Sequence, residues 1–285
     1  VNTSSRHNLL LDISYRQRDA LIDLVSDPRT LAIIEYGDSS VATEDNRMQV
    51  GTPALAGGEY MEVWQTDQPI ESGDFESIHY RMTDDLLFGQ VQVATSSADM
   101  EQITGDIYQQ INRLQHALQF THLVRIWNYM PWINREDDGM ERYQAFCVGR
   151  HHAIDTSSGY EAHLPAATAV GTHNDHMLVY FLAAREDGTQ IENPRQVSAF
   201  EYPQQYAPKS PAFSRAIVKA WGKQKHLYIS GTASILGHES QHPDDPLGQL
   251  DECLNNVDIL VREASTQTGI AIRDTSQLTA MKLYL

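Results

Sequence analysis

A chain of 285 residues, 41% hydrophobic and 21% charged, has the composition of a globular protein of about two ordinary domains, which excludes disordered, collagen-like and coiled-coil classes. Thirty-eight acidic residues against 21 basic ones give a net charge of −17, which repels phosphate backbones and anionic lipid, so nucleic acid is not an expected partner. The longest apolar run, residues 177–184, falls far short of the about 20 residues that a membrane-spanning helix needs; two cysteines are too few for a disulfide framework, so a cytoplasmic protein without a membrane span is expected.

In chain order, residues 86–94 (LLFGQVQVA) read as a strand, and Ile107, Ile111, Leu114 and Leu118 recur at helical spacing. A strand over 123–130 follows, then a short helix carrying Met140, Tyr143 and Cys147 on one face, an extended piece over 166–170 and the apolar strand 177–184. Residues 193–215 contain four prolines and interleaved aromatics without either periodicity, the pattern of a functional loop or a rigid connector. Residues 216–220 are expected to begin a helix. A strand over 226–235 precedes a helix marked by Asp245 as N-cap, Pro246 in the first turn and Leu247, Leu250, Leu254, Val257 and Val261 on one face. Residues 278–285 read as a last strand.

Strand, helix and strand thus occur twice, displaced by about 140 positions, as a repeat of pattern more than of residues. The second copy lacks the helix and two strands that continue the first. A residue that carries chemistry is therefore expected beyond Leu285.

The chemistry-bearing residues gather in the loop. Tyr202, Tyr206 and Lys209 are followed by Ser214 and Arg215 at the expected helix start, where a guanidinium fork, tyrosine hydroxyls and free N–H groups would bind a carboxylate. From 195 to 225 six basic residues face Glu201 alone, a positive island that would hold a small anion or form a solvated basic face. Arg150 closes the helix of FCVGRHHA, where it suits either the helix dipole or an anion. Ser230–Ser234 (SGTAS) supplies small residues, Ala233 among them, that let a ring approach the backbone, or else marks a bulge at a sheet edge. The 12 histidines, with His173 and His176 in one turn and His238 and His242 ahead of Pro243, form no convergent ligand set, so no metal is expected. Cys147 and Cys253 fall on apolar helix faces and are not expected to be nucleophiles.

Three stretches, residues 146–153 (FCVGRHHA), 192–216 (ENPRQVSAFEYPQQYAPKSPAFSRA) and 230–260 (SGTASILGHESQHPDDPLGQLDECLNNVDIL), resemble the chorismatases, bacterial enzymes that act on chorismate, and more distantly the YjgF/RidA superfamily. The resemblance runs from about Gly89 to Leu285. It implies an α+β fold of two related YjgF/RidA-like units, each a mixed sheet with helices on one face, the second incomplete at its C-terminus. The expected division is an N-terminal unit over 1–192, a substrate-binding connector over 193–225 and a C-terminal half over 226–285. It further implies that Arg150, Tyr202, Tyr206, Lys209, Ser214 and Arg215 bind the two carboxylates of chorismate, with Ala233 against the ring or side chain. Lys209 departs from the arginine that is as often expected there and gives a point charge in place of a fork. The catalytic acid belongs to the last strand of the second half and is not among these residues. The implied reaction cleaves the enolpyruvyl ether and releases pyruvate with a 3- or 4-hydroxybenzoate or a dihydroxycyclohexadiene carboxylate, without a cofactor, in a monomer or small homo-oligomer. A RidA-like enamine or imine deaminase and a non-catalytic aromatic-acid sensor are the alternatives.

Overall fold

A computed structural model describes residues 9–38, 40–42, 46–95, 99–154, 160–203 and 207–285. The N-terminal part builds β1 (Asp12–Gln17), α1 (Leu21–Ser26), β2 (Thr30–Tyr36), β3 (Val41–Ala42), β4 (Arg47–Val50) and β5 (Tyr60–Gln65), in a sheet of order β1-β5-β2-β4-β3. The next part contributes β6 (Glu71–Phe75), β7 (Ile78–Met82), β8 (Leu86–Ala94), α2 (Met100–Leu118) and β9 (His122–Pro131). After a small hairpin, β10 (Glu136–Asp137) and β11 (Met140–Glu141), come α3 (Arg142–Ala153), β12 (Ala166–Thr172) and β13 (His176–Ala184), and the central sheet runs β12-β9-β13-β8-β7-β6.

The unbroken apolar character of 177–184 has its cause in this layering. Leu178, Tyr180 and Leu182 face the N-terminal sheet and join Trp64, Phe88 and Trp127, while Val179, Phe181 and Ala183 face α2 and α3 and join Ile107, Ile111 and Phe146. A strand covered on both faces needs no polar alternation. Helix α2 begins at Asp99, whose side chain accepts the Glu101 N–H, and packs directly on α3: a Cβ at Gly149 would lie 2.1 Å from the Glu101 carbonyl oxygen. The two helices touch through their backbones, and this contact fixes the height at which the next residue, Arg150, leaves α3.

The second unit is a sheet of β14 (Thr189–Ile191), β15 (Ala216–Trp221) and β16 (Gln224–Ile229), in that order, followed by the hairpin of β17 (Ile235–Leu236) and β18 (Glu239–Ser240) and by α4 (Pro246–Thr268). Helix α4 starts at the N-cap Asp245, ends at Gly269 with φ 67° and lays Leu260 and Ala264 on Ile191, Ala216 and Val218. The fold is therefore α+β, with the first unit bearing two helices on one face of its sheet and the second bearing one.

Three expectations are corrected. Residues 216–220 form a strand and not a helix start, because Ala216 and Val218 pack under α4 while Ile217 and Trp221 enter the core shared by the first two sheets. The strand expected over 226–235 ends at Ile229, since the Gly231 N–H turns to the Ala167 carbonyl (2.9 Å). Residues 278–285 are extended but join no sheet. Their alternation is real, with Lys282 and Tyr284 more buried and Met281 and Leu283 exposed, but the segment forms no backbone ladder and meets β1 through a side chain, the Tyr15 hydroxyl donating to the Met281 carbonyl (3.2 Å). Among the described residues no helix is long and apolar enough to cross a membrane.

Candidate anion-binding site

The junction of the two units is a seam of backbone hydrogen bonds. The Ser214 N–H donates to the Pro165 carbonyl (3.0 Å), the Ser230 N–H to the Arg215 carbonyl (3.0 Å), and Ser230 Oγ donates to the Ser214 carbonyl (2.5 Å) while accepting the Ala167 N–H (2.8 Å). Ser214 is consumed by this seam: it is fully buried, and its Oγ has no partner among the described residues. Since the segment after it is a strand, the helix N-terminus expected to receive a carboxylate does not exist there.

Arg215, the next residue, turns its side chain into the connector loop. Nη2 donates to the Val197 carbonyl (2.7 Å) and to the Tyr202 hydroxyl (2.9 Å), and the guanidinium lies 5.5 Å and 5.6 Å from the ring centres of Tyr202 and Phe213. The loop is closed beneath it by Ser210 Oγ, which donates to the Tyr202 carbonyl (2.9 Å). Only 6% of Arg215 is exposed, and its Nε has no hydrogen-bond partner among the described residues.

Arg150 approaches from α3. It is 3% exposed, its guanidinium sits 5.0 Å from the centre of the Tyr108 ring, and its Nε is likewise without a partner among the described residues. Tyr108 is held in place by donating its hydroxyl to Asn128 Oδ1 (2.9 Å). Burial pushes the Tyr143 hydroxyl pKa up and Cys147 adds to the rise, while the Arg150 charge lowers it. Burial first and then the Lys209 and His152 charges depress the pKa of His151, the residue after Arg150 on α3.

Arg150 thus stands at the end of α3 over Tyr108, and Arg215 stands in the connector loop beside Tyr202 and Phe213. Ala233 lies on an exposed turn beyond β16, with its carbonyl accepting the Ile235 N–H (2.9 Å) and the Asn256 amide (3.4 Å). Tyr206 lies outside the described residues. The positive island of 195–225 does not form one surface: Arg195 pairs with Glu252 (2.8 Å), Lys219 is buried over the Trp221 ring, and Lys225 donates to the Thr268 carbonyl. Cys147 is buried and its thiol is pushed up to about 11, chiefly by burial, and the Cys253 thiol is also raised, so neither is an activated nucleophile.

No carboxylate forms an ion pair with Arg150 or Arg215 among the described residues. A buried guanidinium without an anion carries a desolvation cost of several kcal/mol that only a counter-charge offsets. A guanidinium fork matches a carboxylate bidentately, so each of these buried arginines is suited chemically to a carboxylate ligand.

The sequence gives no sign of a third component, Glu192. Its Oε1 accepts the Arg215 N–H (3.1 Å) and the Gln190 amide (3.3 Å), and burial raises its pKa above the ordinary carboxylate value against the lowering effect of those bonds. Because the folded-state pKa is the higher one, the stability gained from protonated Glu192 is full below the ordinary carboxylate range and is lost as pH rises through the elevated pKa. Glu192→Gln is accordingly expected to leave Tm at pH 8 equal to or above that of the parent chain, with the difference shrinking or reversing toward pH 4; a variant that loses the same Tm at every pH contradicts this.

The family model described as "Chorismatase FkbO/Hyg5-like, N-terminal" matches residues 62–183. A chorismatase of Streptomyces hygroscopicus is 35% identical over 274 residues, 92% of this chain and 78% of the relative. A 3-hydroxybenzoate synthase of the same organism is 33% identical over 220 residues, 75% of this chain and 64% of the relative. The crystal structure of a chorismatase superposes with a TM-score of 0.85 at 32% identity, covering 95% of this chain and 83% of that one.

Proposed function

Since this chain belongs to the chorismatase family, we propose that it converts chorismate, releasing pyruvate, and that Arg150 and Arg215 hold the two carboxylates of the substrate. The observation that carries this assignment is that the guanidiniums of Arg150 and Arg215 are both buried and neither forms an ion pair with a carboxylate among the described residues. In this account residues 193–225 act as the substrate-binding connector. The Tyr202 hydroxyl fixes one face of the Arg215 fork, Lys209 and Tyr206 add a point charge and a hydroxyl donor, and Ala233 leaves room for the ring or the enolpyruvyl side chain.

The chemistry follows from the substrate. A proton delivered to the methylene carbon of the enolpyruvyl ether leaves positive charge shared between the former alkene carbon and the ether oxygen. Arginines that have already bound the carboxylates fix that carbon in place and supply no base to take the proton back. Water then adds to the cationic carbon, giving a hemiketal whose collapse breaks the bond to the ring oxygen and yields pyruvate and a dihydroxycyclohexadiene carboxylate. If the neighbouring ring hydroxyl attacks in place of water, loss of pyruvate is coupled to rearrangement and aromatisation to a hydroxybenzoate. The donor of the proton is a carboxylic acid whose pKa is raised by its surroundings, and no organic cofactor enters either route.

Incubating the purified protein with chorismate and separating the ring products by chromatography tests the assignment. A hydroxybenzoate or the diol is the expected product. Turnover of small enamines with chorismate untouched is the outcome that replaces it by a deaminase, and chorismate-dependent thermal stabilisation without any product replaces it by a sensor.

A further inference from the structure

A second cluster lies apart from the arginine pair, where the ends of three elements meet. His122 is the first residue of β9, His163 ends the short turn Tyr160–His163 ahead of β12, and Asp187 sits in the turn between β13 and β14. His163 Nδ1 is 2.7 Å from Asp187 Oδ2, His122 Nδ1 is 3.6 Å from the same oxygen, and one ligand atom from each residue lies within 4.8 Å of the other two. The other carboxylate oxygen, Oδ1, accepts the Gly188 N–H (2.8 Å), which holds the carboxylate with Oδ2 toward both imidazoles. Lys219 Nζ reaches the carbonyl oxygen of Asp187 (3.4 Å) and not its carboxylate.

We propose that His122, His163 and Asp187 form a zinc site, with water in the remaining coordination position. Two imidazole nitrogens and one carboxylate oxygen are a donor set that zinc prefers, at bond lengths of about 2.0–2.2 Å. Tetrahedral bonds of that length separate neighbouring ligand atoms by roughly 3.3–3.5 Å, so His122 already stands at the required distance from Asp187. His163 stands closer, at hydrogen-bond distance, and its side chain is 65% exposed, so a small ring rotation opens the gap. A hydrogen bond alone uses one imidazole; the second imidazole directed at the same oxygen is what a metal explains. The bound ion ties β9, β13 and the segment leading into β12 at one edge of the central sheet, and it is a structural clasp with no part in chorismate conversion.

The test is calorimetric titration of the chelator-stripped protein with zinc chloride, together with the visible absorption of the cobalt-substituted form. The expected result is one ion per chain, intense cobalt bands of a four- or five-coordinate site, and a Tm raised by about 5 °C when free zinc reaches 100 times its dissociation constant. His122→Gln and His163→Gln are expected to weaken binding by at least about 100-fold, more than the loss of an outer-shell partner, while their metal-free Tm stays at the parent value. His238→Gln is the control and leaves binding unchanged. Absence of zinc binding, or binding that survives the double substitution at 122 and 163, overturns the site and leaves a surface ion pair between His163 and Asp187.

Discussion

Replacing Arg150 by methionine raises the KM for chorismate by about 30-fold or more, on the order of 2 kcal/mol or above, while the free protein withstands heat at least as well as before. The two effects have opposite sign for one reason. In the free protein Arg150 is 3% exposed, stacked on Tyr108 and without an anionic partner, so the fold bears a desolvated charge that methionine, of similar length and apolar, removes. In the complex the same charge meets a carboxylate in a site shielded from water, where a charge-assisted bidentate bond has its greatest strength. If the arginine binds ground and transition states alike, kcat changes little and the loss falls on KM. Steady-state kinetics paired with thermal denaturation checks both halves: an unchanged KM removes Arg150 from the substrate, and a Tm lowered by several degrees shows that its role is structural. Arg215 is the less clean probe, since its guanidinium also holds the Val197 carbonyl and the Tyr202 hydroxyl.

The largest expected effect on stability lies in a buried ion pair that joins the two ends of the chain. Glu62, on β5, is buried between the N-terminal and central sheets, with 3% of its side chain exposed. Its Oε1 accepts the Trp64 indole N–H (2.7 Å), and its Oε2 accepts Lys282 Nζ (2.7 Å) and the Tyr36 hydroxyl (3.3 Å). Burial pushes the Lys282 pKa down, but the Glu62 carboxylate, with Tyr284 and Tyr15 adding to it, turns the net shift upward, as expected of a lysine held charged by its partners. Lys282→Met leaves that carboxylate buried with two neutral donors only. The expected cost is about 3–5 kcal/mol, a fall in Tm of roughly 10 °C for a chain of this size. The double variant Glu62→Gln/Lys282→Met recovers much of the loss, because it is the stranded charge and not the missing contact that destabilises. Equal loss in the single and double variants contradicts that explanation.

Much of the central unit was legible because its strands and helices meet strong local rules. β13 is apolar on both faces, α2 carries one apolar stripe, and in the second unit α4 carries another whose start Asp245 and Pro246 mark. The expectation that residues 216–220 begin a helix sets aside the strand preference of the β-branched Ile217 and Val218; β15 lays Ala216 and Val218 on α4 and turns Ile217 and Trp221 into the core shared by the first two sheets. Residues 278–285 show the converse: their period-2 alternation was correct, yet a strand needs an edge to pair with, and alternation alone does not supply one.

The proposed site rests on residues that the sequence singles out and on others that it does not. Arg150, Tyr202, Lys209 and Arg215 stood out as cations and hydroxyls in two short segments. Their number overstated the positive field, because Arg195 and Lys219 are turned to partners elsewhere. Glu192 and Tyr108 carried no signal, since each acquires its role from a residue far along the chain, Arg215 and Arg150 respectively. The cluster of His122, His163 and Asp187 was invisible for that reason too: its members are separated by whole strands and share no spacing motif.

The most direct test of the central claim is pyruvate release from chorismate, followed by coupled reduction to lactate. Pyruvate formed in proportion to enzyme, at a rate that Arg150→Met lowers about 30-fold or more at low substrate, is the predicted result. Chorismate left intact by the protein contradicts the account.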